Sequence, residues 1–238
     1  MININNPYTK HQTPNTKHQT PNTKHQTLIH PMLIYILRHG ETEFNRLGIV
    51  QGSGVDTDLN ETGQVQARAF FEAYRDIDFQ LIVTSKLRRT HQTVQAFIDQ
   101  HILWIQTPDI NEISWGTHEG LPSTPESIAL YQRTITHWQN GNLDAALPEG
   151  ESASQLVLRV SRFVEWLKTR PEQRIVVATH GRTLRCLVTL LKGVGPASME
   201  GMPHANTGCY VVRYEDDQFT FDLENDVRHL QPASNVLM

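Results

Sequence analysis

Three short apolar runs constrain this chain more than any other feature: LIYIL at 33–37, LIVTS at 81–85 and RIVVAT at 174–179. None alternates between apolar and polar positions, which is the pattern of strands covered on both faces. Helical patterns lie between and after them. Asn60 is placed to cap a helix running to about residue 75, in which Val65, Ala69 and Ala73 recur at intervals of four. Ser85 is placed to cap a second over 86 to about 99, with Thr90, Val94 and Phe97 on one side. Ser152 and Gln155 form a capping-box pattern before Leu156, Val160, Phe163 and Leu167, an inward stripe that ends before Pro171. A fourth helix follows Gly181, turns Leu184, Leu187, Val188 and Leu191 inward and stops at Gly193. The segment GCYVVRYEDDQFTFDLEN reads as a hairpin about Asp216 and Asp217. Strand and helix alternate, so the expected class is α/β: a three-layer α/β/α sandwich with a mostly parallel sheet and an antiparallel edge. The least regular stretch, 116–150, reads as a helical insertion in that domain.

Residues 9–27 repeat TKHQTPN, TKHQTPN, TKHQT. No position of this heptad is apolar, so it is no coiled coil, and a polar repeat with proline cannot build a core. The expected organisation is a disordered tail over 1–31 and a catalytic domain over 32–238. His11, His18 and His25 recur in the tail, but three isolated imidazoles on a flexible chain lack the fixed geometry of a metal site. A formal charge of −4 over 238 residues gives no reason to expect nucleic acid or an anionic membrane as partner. No apolar run approaches the roughly 20 residues that span a bilayer, and the N-terminus lacks the apolar core of a secretory signal. A cytoplasmic protein with Cys186 and Cys209 as buried free thiols is expected.

The chemistry lies where the apolar runs end. In an open α/β sheet, ligands bind outside the carboxyl ends of the strands. The runs end in Arg38-His39-Gly40, in Ser85-Lys86-Leu87-Arg88-Arg89 and in Thr179-His180-Gly181. Singly, each has a plain reading: a satisfied histidine at a strand end, or solvated arginines on a helix. Together they put two histidines and at least two arginines in one crevice, where like charges repel unless an anion sits among them. A phosphate suits that gap, since arginine forks match its oxygens. Two histidines and a carboxylate could also hold a metal, but neighbouring arginines oppose a divalent cation.

The ordered series LRHGETEFN, QGSGVDTDLNETGQVQA, SKLRRTHQT, NEISWGTHEG, PEGES, ATHGRTLR and NDVRHL resembles the histidine phosphatase superfamily, over residues 33 to about 230. The resemblance implies His39 as the nucleophile that becomes phosphorylated, with Arg38, Arg89 and His180 around the phosphate. Arg89 rather than Arg88 matches, because it stands four places after Ser85. Glu112 matches the proton donor, with Glu41, Glu43 and Glu119 as alternatives. Asn45 and Gln51 match polar positions near the phosphate, and Gly181 is a further substrate-binding position. His118, Arg182 and His204 match no common family residue and are candidates for shaping the substrate pocket.

The implied activity is a phosphomonoesterase that uses no metal or other cofactor, acting on a small phosphorylated metabolite through a phosphohistidine. Two alternatives stay open: a phosphoglycerate mutase using the same intermediate, and a noncatalytic module that binds a phospholigand. The long insertion of true phosphoglycerate mutases is missing between the Glu112 motif and PEGES, which favours the phosphatase. Sugar, nucleotide and cobalamin-precursor phosphates remain open as substrates. Oligomeric state is open too, a homodimer being one option.

Overall fold

The computed structural model describes residues 31–231. The heptad repeat, and with it the expectation of a disordered tail, lies outside the described residues. Strands β1 (Met32–Arg38), β2 (Leu81–Thr84), β3 (Leu103–Gln106), β4 (Arg174–Thr179), β5 (Cys209–Glu215) and β6 (Gln218–Asp226) form one sheet. Their order is β3-β2-β4-β1-β5-β6. β1, β2, β3 and β4 run parallel, and the β5–β6 hairpin adds an antiparallel edge on β1. The hairpin turns at Asp216 and Asp217, whose φ values of 50° and 61° are the left-handed pair that a tight two-residue turn requires.

Both faces of the sheet are covered, so alternation is absent from the central strands. Ile34, Ile36, Val83, Ile175 and Val177 pack on one side, against α5 (Ala153–Lys168) and α6 (Gly181–Leu191). Tyr35, Leu37, Ile82, Val176 and Ala178 pack on the other, against α2 (Glu61–Tyr74) and α3 (Arg88–Ile98). The expected three-layer sandwich is the observed one. Ser152 and Gln155 close the capping box of α5, whose Leu156, Val160, Phe163 and Leu167 are buried. The insertion carries α4 (Pro125–Gln139), capped by Thr124 and anchored through Ile135 and Trp138. A short α1 (Glu43–Leu47) follows β1. Among the described residues no helix is long and apolar enough to cross a membrane. Cys186 and Cys209 are free and buried, and burial pushes each thiol up to about 12.

Three sequence expectations change. In α2, Val65 and Ala73 face solvent; the buried face is Gly63 and Phe70, with Phe70 packing its ring against Tyr74. Fully burying a phenylalanine is worth about 2–3 kcal/mol, more than an alanine stripe offers, so the aromatic residues set the rotation of the helix. Ser85 does not cap α3, which starts at Arg88 behind Leu87 without a side-chain cap. The edge strand β3 had no counterpart in the sequence reading, because its four residues expose both ends and carry little apolar signal.

Candidate active site

β1 and β4 are parallel neighbours with Arg38 opposite Thr179, so the residues that follow them, His39 and His180, emerge side by side. Their ring centroids are 5.2 Å apart. His39 is buried, and its Nδ1 lies 2.7 Å from the Gly40 carbonyl oxygen. A carbonyl only accepts, so Nδ1 carries the proton and Nε2 keeps its lone pair. Burial, with Arg89 and Arg38 nearby, holds the His39 imidazole well below its ordinary pKa. His180 has the opposite tautomer: Nδ1 accepts from Arg89 Nε at 3.1 Å, and Nε2 donates to Ser85 Oγ at 2.7 Å. Its pKa is also driven well down, by burial and then by Arg89. Ser85 is thus occupied in orienting His180 rather than in capping a helix.

Arg89 reaches the site from the first turn of α3 and is wholly buried. Its two terminal nitrogens donate to the carbonyls of Val55 at 2.7 Å and Gly52 at 3.3 Å. Burial lowers it to about 10, which leaves it cationic at neutral pH. Arg88 points away, into exposed pairs with Asp56 and Asp58. Arg38 donates through one terminal nitrogen to the His204 carbonyl at 3.1 Å, while its Nε is buried without a partner. An orphaned guanidinium donor in a cation-rich pocket is the residue-level mark of an anion site.

Glu112 sits at the head of α6, where the N-cap His180 supplies no side-chain cap. Its carboxylate does so instead. Oε2 accepts from Arg182 N at 3.1 Å; Oε1 accepts from Thr183 N at 3.1 Å and Ile113 N at 3.0 Å, while the Thr183 hydroxyl donates to the Asn111 carbonyl at 2.7 Å. The structure therefore brings His39, Arg38, Arg89, His180 and Glu112 to one end of the sheet. Asn45 and Gln51 meet around the buried Thr42, whose hydroxyl bonds Asn45 Oδ1 at 3.1 Å and Gln51 Nε2 at 2.7 Å. Gly181 packs against the site from the start of α6: a Cβ there would come within 3.0 Å of His204 Cδ2 and 3.5 Å of Arg38 Nε. At Gly40 a Cβ would meet the Gly63 carbonyl of α2 at 2.7 Å, so a glycine is needed where the end of β1 packs on that helix.

Several supporting residues had no clear sequence signal. Glu119 is one: it accepts from Trp115 N and Gly54 N, each at 2.7 Å, and so braces the 52–55 loop that cages Arg89. Thr93 holds Gly40 N at 3.0 Å and Asn206 holds the His39 carbonyl at 2.9 Å. Of the unassigned residues, Arg182 pairs with Glu200 and donates to Tyr131 Oη at 2.6 Å, beside the rings of Trp115 and Trp138. Arg185 also pairs with Glu200, and its Nε donates to His204 Nδ1 at 3.1 Å. Among the described residues no cluster of three or more His, Cys, Asp or Glu side chains could hold a metal.

A doubly covered sheet thus delivers two neutral histidines, the buried Arg89 and the half-buried Arg38 to one end, an arrangement suited to a small oxyanion. A family model described as histidine phosphatase superfamily (branch 1) matches residues 34–227. The chain belongs to the histidine phosphatase superfamily and is an enzyme of its phosphatase class. It is 32% identical over 215 residues to a Yersinia pestis (strain Pestoides F) protein named "Probable phosphoglycerate mutase GpmB", covering 86% of this chain and 98% of the other. It is 27% identical over 197 residues to a Hydrogenobacter thermophilus protein provisionally named phosphoserine phosphatase 2, covering 82% and 96%. The crystal structure of the alpha-ribazole phosphatase from Shigella flexneri shares the fold, with TM-score 0.73, 24% identity and coverage of 82% of this chain and 96% of that one.

Proposed function

We propose that the protein hydrolyses the monoester of a small phosphorylated metabolite in the cytoplasm through a phosphohistidine at His39, without a metal. The observation that carries this reading is the tautomer of His39: the 2.7 Å bond from Nδ1 to the Gly40 carbonyl leaves an unprotonated Nε2 in a pocket of arginines. A neutral imidazole is a competent nucleophile, and phosphoryl transfer is accelerated chiefly by positioning and by charge around the equatorial oxygens. Arg38, with its free Nε, and Arg89 supply that charge, and the same cations oppose a divalent ion.

Nε2 of His39 attacks phosphorus as the bond to the ester oxygen breaks, and the leaving alkoxide takes a proton from Glu112. Oε1 of Glu112 already receives two backbone N–H donors and Oε2 only one, so Oε2 is the oxygen with room to carry that proton. Water then attacks the phosphohistidine, returns its proton to Glu112 and restores the lone pair of His39. Asn45 and Gln51 are assigned to the phosphate side of the pocket, and Gly181 to the close approach of α6 beneath it.

Brief incubation with labelled p-nitrophenyl phosphate should leave an acid-labile, base-stable label on the protein, absent from His39→Ala and unaffected by EDTA. Full turnover by His39→Ala would overturn the nucleophile assignment. The mutase reading has support in the name of the Yersinia relative. It requires turnover of phosphoglycerate primed by bisphosphoglycerate to exceed phosphate release, and the present reading expects the reverse.

A further inference from the structure

We propose that the ester oxygen of the substrate belongs to an uncharged alcohol with an apolar, ring-sized body, which lies in a cleft between the 50–51 segment and α4. This rests on the phosphatase reading and adds the class of leaving group to it. A cavity of about 270 Å³ opens there, walled by Val50, Trp115, Ile128, Tyr131 and Leu147, with Gln51 at the side shared with the active site. Trp115 stands three residues after Glu112, and its ring lies 5.8 Å from the guanidinium of Arg182, whose backbone N–H holds Glu112. Gln51, which lines the cleft and donates to the Thr42 hydroxyl at 2.7 Å, links it to the segment that follows His39.

Three features set the chemistry. The lining contains no lysine, arginine, aspartate or glutamate. The nearest cation behind it, Arg182, is committed to Glu200 and to the Tyr131 hydroxyl. A substrate carboxylate in the cleft would therefore be buried without a counter-ion, which is strongly unfavourable. Second, the mouth is apolar: Ile128 is 45% exposed, and Leu121, in an adjoining hollow that shares Val50, His118 and Ser127, is 56% exposed. Third, the volume is large for a glyceryl or seryl group, since a cavity of about 150 Å³ already takes benzene.

The wall is held in place by the bond from Gly120 N to the Val50 carbonyl at 2.9 Å and by the one from Ser123 Oγ to the Gly48 carbonyl at 3.1 Å. His118 also lines the cleft.

Phosphonates, which bind without turning over, test the cleft separately from the chemistry. By calorimetry on the full chain, benzylphosphonate should bind at least about 10-fold more tightly than methylphosphonate or 2-carboxyethylphosphonate, from burial of the ring. Ile128→Asp, at a half-exposed helix position, should erase that ratio while leaving methylphosphonate affinity unchanged. Equal affinities in the parent protein, or preference for the carboxyethyl compound, would overturn the inference. In parallel, phosphate release from benzyl phosphate, 3-phosphoglycerate and phosphoserine reads the activity. A retained binding ratio with no monoester hydrolysed would sink the phosphatase reading and leave the cleft assignment standing.

Discussion

Arg89 is a fully buried cation whose three donor groups point in three directions, to His180 Nδ1, the Val55 carbonyl and the Gly52 carbonyl. A lysine keeps the charge but is a point donor on a flexible stem and cannot hold that fork. Arg89→Lys should therefore lower kcat/KM by about 10²–10³-fold, the usual effect of losing one preorganised donor around a reacting oxyanion. Its melting temperature should fall as well, because two buried carbonyls lose their partner. Kinetics beside a thermal melt separate the two: a variant that melts lower yet keeps parental kcat/KM would remove Arg89 from the phosphate pocket. The residue's position was legible in the sequence, since Ser-x-Leu-x-Arg follows an apolar run. The carbonyl cage was not. Backbone acceptors have no letter in a sequence, and the brace beneath them, Glu119, looked like a spare acid until its bonds to Trp115 and Gly54 placed it.

α2 shows how an element can be legible in extent and misread in rotation. Its start at Asn60 and its end near residue 75 follow from capping and propensity, and both stand in the structure. Val65, Ala69 and Ala73 made the visible stripe, yet the helix turns on Gly63, where a Cβ would meet the Glu41 carbonyl at 2.0 Å. Hydrophobicity scales give glycine little weight, so this close backbone approach carried no signal. In a helix interior, glycine to alanine normally gains about 1 kcal/mol. Here a clash with backbone opposes that gain, and overpacking of a tight contact costs roughly 1–3 kcal/mol. Gly63→Ala should be destabilised in a urea melt and should lose activity, because the chain it displaces, Gly40 and Glu41, directly follows His39. A stabilised and fully active variant would show that the loop gives way freely. The β3 edge strand was missed for a related reason: four half-exposed residues bury too little to announce themselves.

At the scale of the whole molecule, the fold holds several imidazoles in a state the unfolded chain would abandon on mild acidification. His39 and His180 are driven well below 6.5, chiefly by burial and then by Arg89; His204 is lowered to about 4 by burial and Arg185, and His229 is lowered by burial. For a depressed histidine the sign is fixed. As pH falls below about 6.5 the unfolded chain takes up protons that the native state refuses, so stability rises with pH across this window. Each refused proton contributes a slope of up to about 1.4 kcal/mol per pH unit. The paired carboxylates of Glu172, Glu200 and Asp226 are held below their ordinary values and keep their charge through the same interval. The urea midpoint should therefore drop steadily from pH 7 to pH 5. Sulfate, a tetrahedral dianion throughout this range, would counter the field of Arg38 and Arg89 at His39 and His180. It should accordingly flatten the slope, as well as raise stability by mass action. A pH-independent midpoint between 7 and 5 would mean that these imidazoles protonate freely in the native protein, and an equal slope with and without sulfate would place the anion elsewhere.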